Sequence, residues 1–214
     1  MRYKHLCRPE MVFKIMNTIG EKYPQRVKQR KDLLKSTGFR GLLKIYKWKN
    51  IPGDFVQWIS ESSEVDESHL RLSKFQALPI RVEDVSRVYY LPSRGKTVNI
   101  SKCTEKDISE IMKELGLGFL DKDLEHVTAN KMEHVIKEVK NNEAWCKAVL
   151  IYIIGCLFCP ENSDGMSLKY ARFVRNLEDV SKYNWMKLIL EYLKKGTRGY
   201  KAPKADIHFF LVSC

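Results

Sequence analysis

The chain has 214 residues, 44% hydrophobic and 11% aromatic, which is enough apolar material for a sizeable core and excludes global disorder. Its net charge of +12 is uneven: residues 1–50 hold 14 Lys and Arg against the three acids Glu10, Glu21 and Asp32, while the rest hold 24 against 23. Such asymmetry points to an anionic partner (nucleic acid, a membrane surface or an acidic protein face) or to a solvated face that keeps the chain soluble.

The N-terminus MRYKHLCRPE lacks an apolar h-region, so no secretory signal is expected. The basic, acid-poor first 50 residues are compatible with a mitochondrial presequence. Their Pro-punctuated helical pattern and scarcity of Ser speak instead for folded structure. The expectation is an intracellular protein, cytoplasmic or nuclear, with the mitochondrion kept as an alternative. Pro9 opens a helix with Val12, Ile15, Met16 and Ile19 at helical spacing. Pro24 opens a second, basic helix through Leu34. On it Lys22, Arg26 and Arg30 recur four apart, with Lys28, Lys31 and Lys35 adjacent. Lys44, Lys47 and Lys49 follow, interleaved with Tyr46 and Trp48. A short helix after Pro52 places Phe55, Trp58 and Ile59 on one face. The acidic stretch 61–68 reads as a surface loop.

Leu70, Leu72 and Phe75, then Leu78, Ile80 and Val82, alternate with polar residues, which predicts a small hairpin or sheet near 70–82. A short helix spans Asp84 to Tyr89, and SRGKT is a turn. Thr104 with Asp107 forms a capping-box start for a helix carrying Ile108, Ile111, Met112 and Leu115, stopped by Gly116. Thr128 caps the next helix, with Met132, Val135, Ile136 and Val139 inward. Residues 143–158 are apolar nearly all round and predict a buried central helix ended by Pro160. Its run Ala148–Cys159 is too short to span a bilayer. A helix follows from about Leu168 to Leu177, and Asn184 caps the last, through Leu193. The fold class is mainly α with one small β-hairpin. The chain ends on IHFFLVSC, where Ile207, Phe209, Phe210 and Leu211 form either a docked last element or an apolar patch for a partner.

Motifs for catalysis are absent. Cys156 and Cys159 form a CxxC at a helix C-terminus, the wrong end for a lowered thiol pKa, and no second ligand pair accompanies them, so they read as core cysteines. His126 and His134, beside Glu125 and Glu133, lack a third metal ligand. No nucleophile elbow, phosphate loop or dinucleotide motif is present. No catalytic residue, metal or cofactor is therefore expected. The binding candidates are the basic face (Lys22, Arg26, Lys28, Arg30, Lys31, Lys35, Tyr46, Lys47, Trp48 and Lys49) and the apolar C-terminal patch. Cations beside stacking aromatics suit single-stranded nucleic acid, and an acidic protein fits the same charge.

Three segments, TGFRGLLKIYKWKNIPGDFVQWI (37–59), LPIRVEDVSRVYYLPSRGK (78–96) and the stretch from AVLIYIIGCLFCPENSDG to KKGTRGYK (148–201), resemble in order and spacing the plant mobile domain. That domain, labelled "aminotransferase-like", occurs in plant transposons and is related to uncharacterised domains found beside SUMO-protease-like modules. The resemblance implies a helical domain over residues 37–214 of plant, mobile-element descent, preceded by a basic helical extension over residues 1–36. It does not imply an enzyme: no lysine sits in a convincing pyridoxal-phosphate context. Two departures stand out. Tyr90 occupies the position before Leu91-Pro92 where the family has Gly, and family members continue past the equivalent of Ile207–Leu211, as if this were a truncated or domesticated copy. The function implied is a non-enzymatic module that binds, and neutralises or redirects, a partner protein, speculatively in a selfish or incompatibility gene pair. The alternative is a nucleic-acid-binding module using the basic helices.

Overall fold

The computed structural model describes residues 9–44, 53–64, 68–118, 125–160 and 165–201. The chain is mainly α with a small sheet. Helix α1 (Pro9–Asn17) turns Val12, Ile15 and Met16 inward, with Ile19 buried just beyond it. A 3-10 turn, Pro24–Arg26, leads into α2 (Val27–Ser36), and a second, Arg40–Lys44, follows. Next come α3 (Gly53–Ser62), strands β1 (Ser63–Glu64), β2 (His69–Arg71) and β3 (Ala77–Pro79), α4 (Val82–Tyr89) and α5 (Glu105–Leu115). The remainder comprises β4 (His126–Thr128), α6 (Ala129–Glu138), α7 (Asn142–Ile153), β5 (Gly165–Ser167), α8 (Ala171–Val174), α9 (Leu177–Val180) and α10 (Trp185–Lys201).

α7 is the hub, with α2, α5, α6 and α8 packed around it. A helix apolar on every side can only be stable when surrounded, and Ala144 through Pro160 are all buried. The two long polar side chains of this buried stretch find partners. Lys147 Nζ lies 2.7 and 2.9 Å from the Glu114 carboxylate oxygens, and the Tyr152 hydroxyl donates to Glu133 Oε1 at 2.7 Å. The helix widens into a π turn, Ile154–Phe158. There Gly155 lies so close to Met166 that a Cβ would sit 2.6 Å from the Met166 Cβ. An aromatic chain links the periphery to this hub: Tyr183, Trp185, Phe39, Phe158 and Tyr89 follow one another with ring centroids 5.1–6.4 Å apart.

The helix starts follow from local chemistry. Thr104 Oγ1 accepts the Asp107 N–H at 3.2 Å, and Asp107 Oδ2 accepts the Thr104 N–H at 2.9 Å. Gly116, at φ 66°, ends α5. Thr128 Oγ1 accepts the Lys131 N–H at 3.3 Å. Asn184 Oδ1 accepts the Lys187 N–H at 2.9 Å while its Nδ2 donates to Ser93 O at 2.8 Å, so one side chain caps α10 and ties down the SRGKT turn.

Other elements depart from expectation. α10 runs eight residues further than Leu193, to Lys201. The expected helix 168–177 is broken into a 3-10 turn, α8 and α9, because Asn176 takes an extended conformation and accepts the Glu178 N–H, restarting the chain as a new helix. Of the expected acidic loop 61–68, Glu61 and Ser62 end α3 and Ser63–Glu64 form β1. β1, β2 and β3 form an antiparallel sheet in that order, with Leu70 opposite Leu78, while Val82 starts α4 instead of extending the sheet. The antiparallel pair β4–β5, with Val127 opposite Met166, is additional. Ahead of the boundary expected at residue 36, α1 and α2 supply buried core side chains and α2 packs on α7.

Tyr90 closes α4 in the left-handed conformation, φ 52° and ψ 39°. A Cβ is strained there by roughly 1–2 kcal/mol, and Gly is the ordinary occupant of such a cap. Tyr90→Gly is therefore expected to raise stability by up to about 1 kcal/mol, read as a higher denaturation midpoint, with the gain trimmed by loss of the Lys44–ring contact at 6.0 Å.

Asp107 anchors a second network. Arg175 Nη1 lies 3.3 Å from its Oδ1 and 2.6 Å from Glu110 Oε2, and Arg172 Nη1 donates to Lys102 O at 2.7 Å. The Thr104 backbone N–H, then the Thr104 hydroxyl and the two arginines, hold the Asp107 carboxyl below its ordinary value against the opposing effect of burial. A depressed folded-state pKa gives stability that is complete above the unfolded value, near 4, and is lost as pH falls through the folded one. Asp107→Asn is expected to cost about 1–2 kcal/mol at neutral pH. It should also flatten the acid limb of the stability–pH curve below pH about 4, as read by denaturant titration across that range.

Candidate functional site

The basic stripe turns toward the end of α6, with Arg30 buried, Arg26 half-buried and Lys22 exposed. α6 ends at Glu138, and its last carbonyls have no partner within the helix. Side chains around the start of α2 supply donors to three successive carbonyls. The Tyr23 hydroxyl donates to Glu138 O at 3.2 Å, Arg30 Nη2 to Val139 O at 2.8 Å and Arg26 Nη1 to Lys140 O. Lys22 pairs with the Glu138 carboxylate. Arg30 is only 3% exposed; its guanidinium lies 4.9 Å from the Trp145 ring centroid and 5.3 Å from that of Tyr23. Gln29 Oε1 accepts from Asn142 Nδ2 at 2.6 Å beside it. Burial, then the neighbouring Arg26 charge, lowers the Arg30 pKa from its ordinary value. Cations at a helix C-terminus face the negative end of its dipole, so Lys22, Arg26 and Arg30 clamp α6 and α7 onto α2. This corrects the expectation that Arg30 belongs to an exposed basic face.

Lys28, Lys31 and Lys35 do lie exposed, three and seven residues apart on one side of α2, with Lys35 Nζ 2.9 Å from Asp32 Oδ1. Tyr46, Lys47, Trp48 and Lys49 fall outside the described residues, as do Ile207, Phe209, Phe210 and Leu211. The structure thus divides the expected basic set into an internal clamp and a surface row of lysines.

Sequence patterning missed the most exposed apolar groups. Phe55 and Trp58, expected with Ile59 on one face of α3, stack on each other at 5.9 Å and remain 50% and 42% exposed. Val88 and Tyr90 stay exposed on and just after α4. α3 and α4 both pack on α10, so these groups flank one helix. The hairpin between α3 and α4 carries Phe75 at its tip, 97% exposed. The only sequence signal was apolar periodicity, which reports a face and not what covers it.

Cys146, Cys156 and Cys159 are buried, and burial pushes the Cys146 thiol up to about 12. His126 lies in β4 and His134 on the exposed side of α6. Among the described residues no three His, Cys, Asp or Glu side chains are grouped so as to hold a metal ion, and no helix is long and apolar enough to cross a membrane.

A family model described as Domain of unknown function (DUF8566) matches residues 6–209. The chain belongs to that family. The matched span holds the α2 clamp, the hairpin and both flanking helices, and it crosses the boundary expected at residue 36. No curated protein and no solved structure matches the chain.

Proposed function

We propose that this domain is a non-enzymatic, intracellular protein-interaction module of plant mobile-element descent, and that it binds a partner protein through the surface where α3 and α4 flank α10. One observation carries the reading: Phe55 and Trp58 form a stacked, half-exposed aromatic pair on a helix that packs on α10. Half-buried aromatics of low conformational entropy are the usual anchors of protein interfaces. The three plant-mobile-domain-like segments support the descent, and they contribute α3, α4 and α10 themselves. Neutralising or redirecting the partner is the action such a binding surface would serve. The test is a stoichiometric complex purified from source tissue: it should form with the native chain and be lost in the Phe55→Ser/Trp58→Ser double variant with helix content unchanged. A monomer with no stoichiometric companion contradicts the reading.

A nucleic-acid reading is favoured by one feature, the exposed row Lys28, Lys31 and Lys35. It requires binding that weakens steeply with salt and is lost in Lys28→Glu/Lys31→Glu. Salt-insensitive binding excludes it.

A further inference from the structure

The hairpin of β2 and β3 has the form of an amphipathic wedge. Leu70 lies directly opposite Leu78, and alternate residues share a face, so Leu70, Leu72, Leu78 and Ile80 lie on one side, with His69, Arg71, Ala77 and Pro79 on the other. Leu72 and Leu78 are 47% and 52% exposed. The turn is pinned: the Leu72 and Ser73 N–H groups both donate to Gln76 O, at 2.9 and 3.2 Å, and Ser73 Oγ accepts the Phe75 N–H at 3.2 Å. Phe75 projects from it almost wholly into solvent. From Ser68 to Arg81 the segment carries Arg71, Lys74 and Arg81 and no acid; Arg71 Nε is 3.3 Å from Glu64 Oε1 on β1.

These features discriminate among occupants. The Ile80 N–H donates to Ser68 O at 2.8 Å, so by alternation Ala77 and Pro79 face the free edge, where Pro79 offers no N–H and blunts strand addition. A second copy would set three cations against three. The apolar groups crown a projecting tip and do not line a groove, which suits a deformable surface. An apolar tip with Lys and Arg beside it is what lodges a segment at the headgroup boundary of an anionic bilayer. We propose that the β2–β3 hairpin inserts Phe75, with Leu72 and Leu78, into an anionic lipid surface while Lys74 and its basic neighbours meet the headgroups.

The probe is a vesicle of phosphatidylcholine with about 30% phosphatidylserine, against phosphatidylcholine alone. The full chain should partition onto the first and not the second. Phe75→Ser, at a position touching no core, should weaken partition about ten-fold or more with an unchanged thermal midpoint. A Phe75→Trp variant should gain emission that brominated acyl chains quench. Partition unaltered by Phe75→Ser shows adsorption by general charge and overturns the proposal. So does a tryptophan at 75 that aqueous iodide still quenches on the vesicle. Trp58→Ser should leave partition unchanged, so the lipid test and the protein-partner test fail separately.

Discussion

Arg30→Ala should lower stability by about 2–4 kcal/mol, the sum of a helix-terminal carbonyl left unsatisfied and the loss of contacts over Trp145 and Tyr23. The guanidinium spans two acceptors, Val139 O at 2.8 Å and Asn142 Oδ1 at 3.4 Å, while lying against two aromatic rings. Lysine offers a point charge without the planar fork, so Arg30→Lys should recover only a minor part of the loss. Lys28→Glu and Lys31→Glu, on the exposed side of the same helix, should stay within about 0.5 kcal/mol of the native chain. Denaturant midpoints of Arg30→Ala, Lys28→Glu and Lys31→Glu, side by side, separate the clamp from the surface row. Equal, small effects for all three would mean that α2 does not hold α6 and α7 through Arg30. Any nucleic-acid experiment that neutralises Arg30 must be read against this loss of stability.

Trp185→Ala should be more severe, about 3–5 kcal/mol, or a fall in Tm of roughly 6–20 °C for a chain of this size. Trp185 is fully buried, and its Nε1–H donates to Val180 O at 2.7 Å. Its ring meets Phe39 edge-on at 5.5 Å and Tyr183 at 6.2 Å. Truncation would leave a cavity at the joint of α9, α10 and the turn after α2, and leave the Val180 carbonyl with only the long bond from the Tyr183 N–H at 3.4 Å. Differential scanning calorimetry is the direct reading. A shift of only a degree or two would show that the aromatic chain does not connect the outer helices to α7.

What the sequence disclosed and what it concealed follows from the range of each interaction. Thr104 with Asp107, Thr128 and Asn184 cap helices through bonds spanning three residues, so a local pattern sufficed. The burial of α7 was equally legible, because a helix without a polar face has one stable placement. The stripe Lys22, Arg26, Arg30 was not, because its acceptors lie more than 100 residues away. Four-residue spacing places cations on one side of a helix; it does not say whether that side faces solvent or the end of another helix. The β4–β5 pair was hidden for a similar reason, since three-residue strands show no alternation and their partners lie far apart in sequence. Phe55 and Trp58 carried the opposite ambiguity: apolar spacing put them on one face, and among the described residues both stay half-exposed. Tyr90 was visible as a departure from Gly, and its left-handed backbone shows why Gly suits that turn.

The most direct test of the interaction module is a photo-crosslinking amino acid placed at Trp58, with the same group at exposed Ser109 on α5 as the control, each introduced into the full chain in source tissue. A discrete, stoichiometric adduct from position 58 and none from 109 is the expected result. Adducts from neither position, or an equal scatter from both, would contradict a partner seated on the α3 aromatic pair.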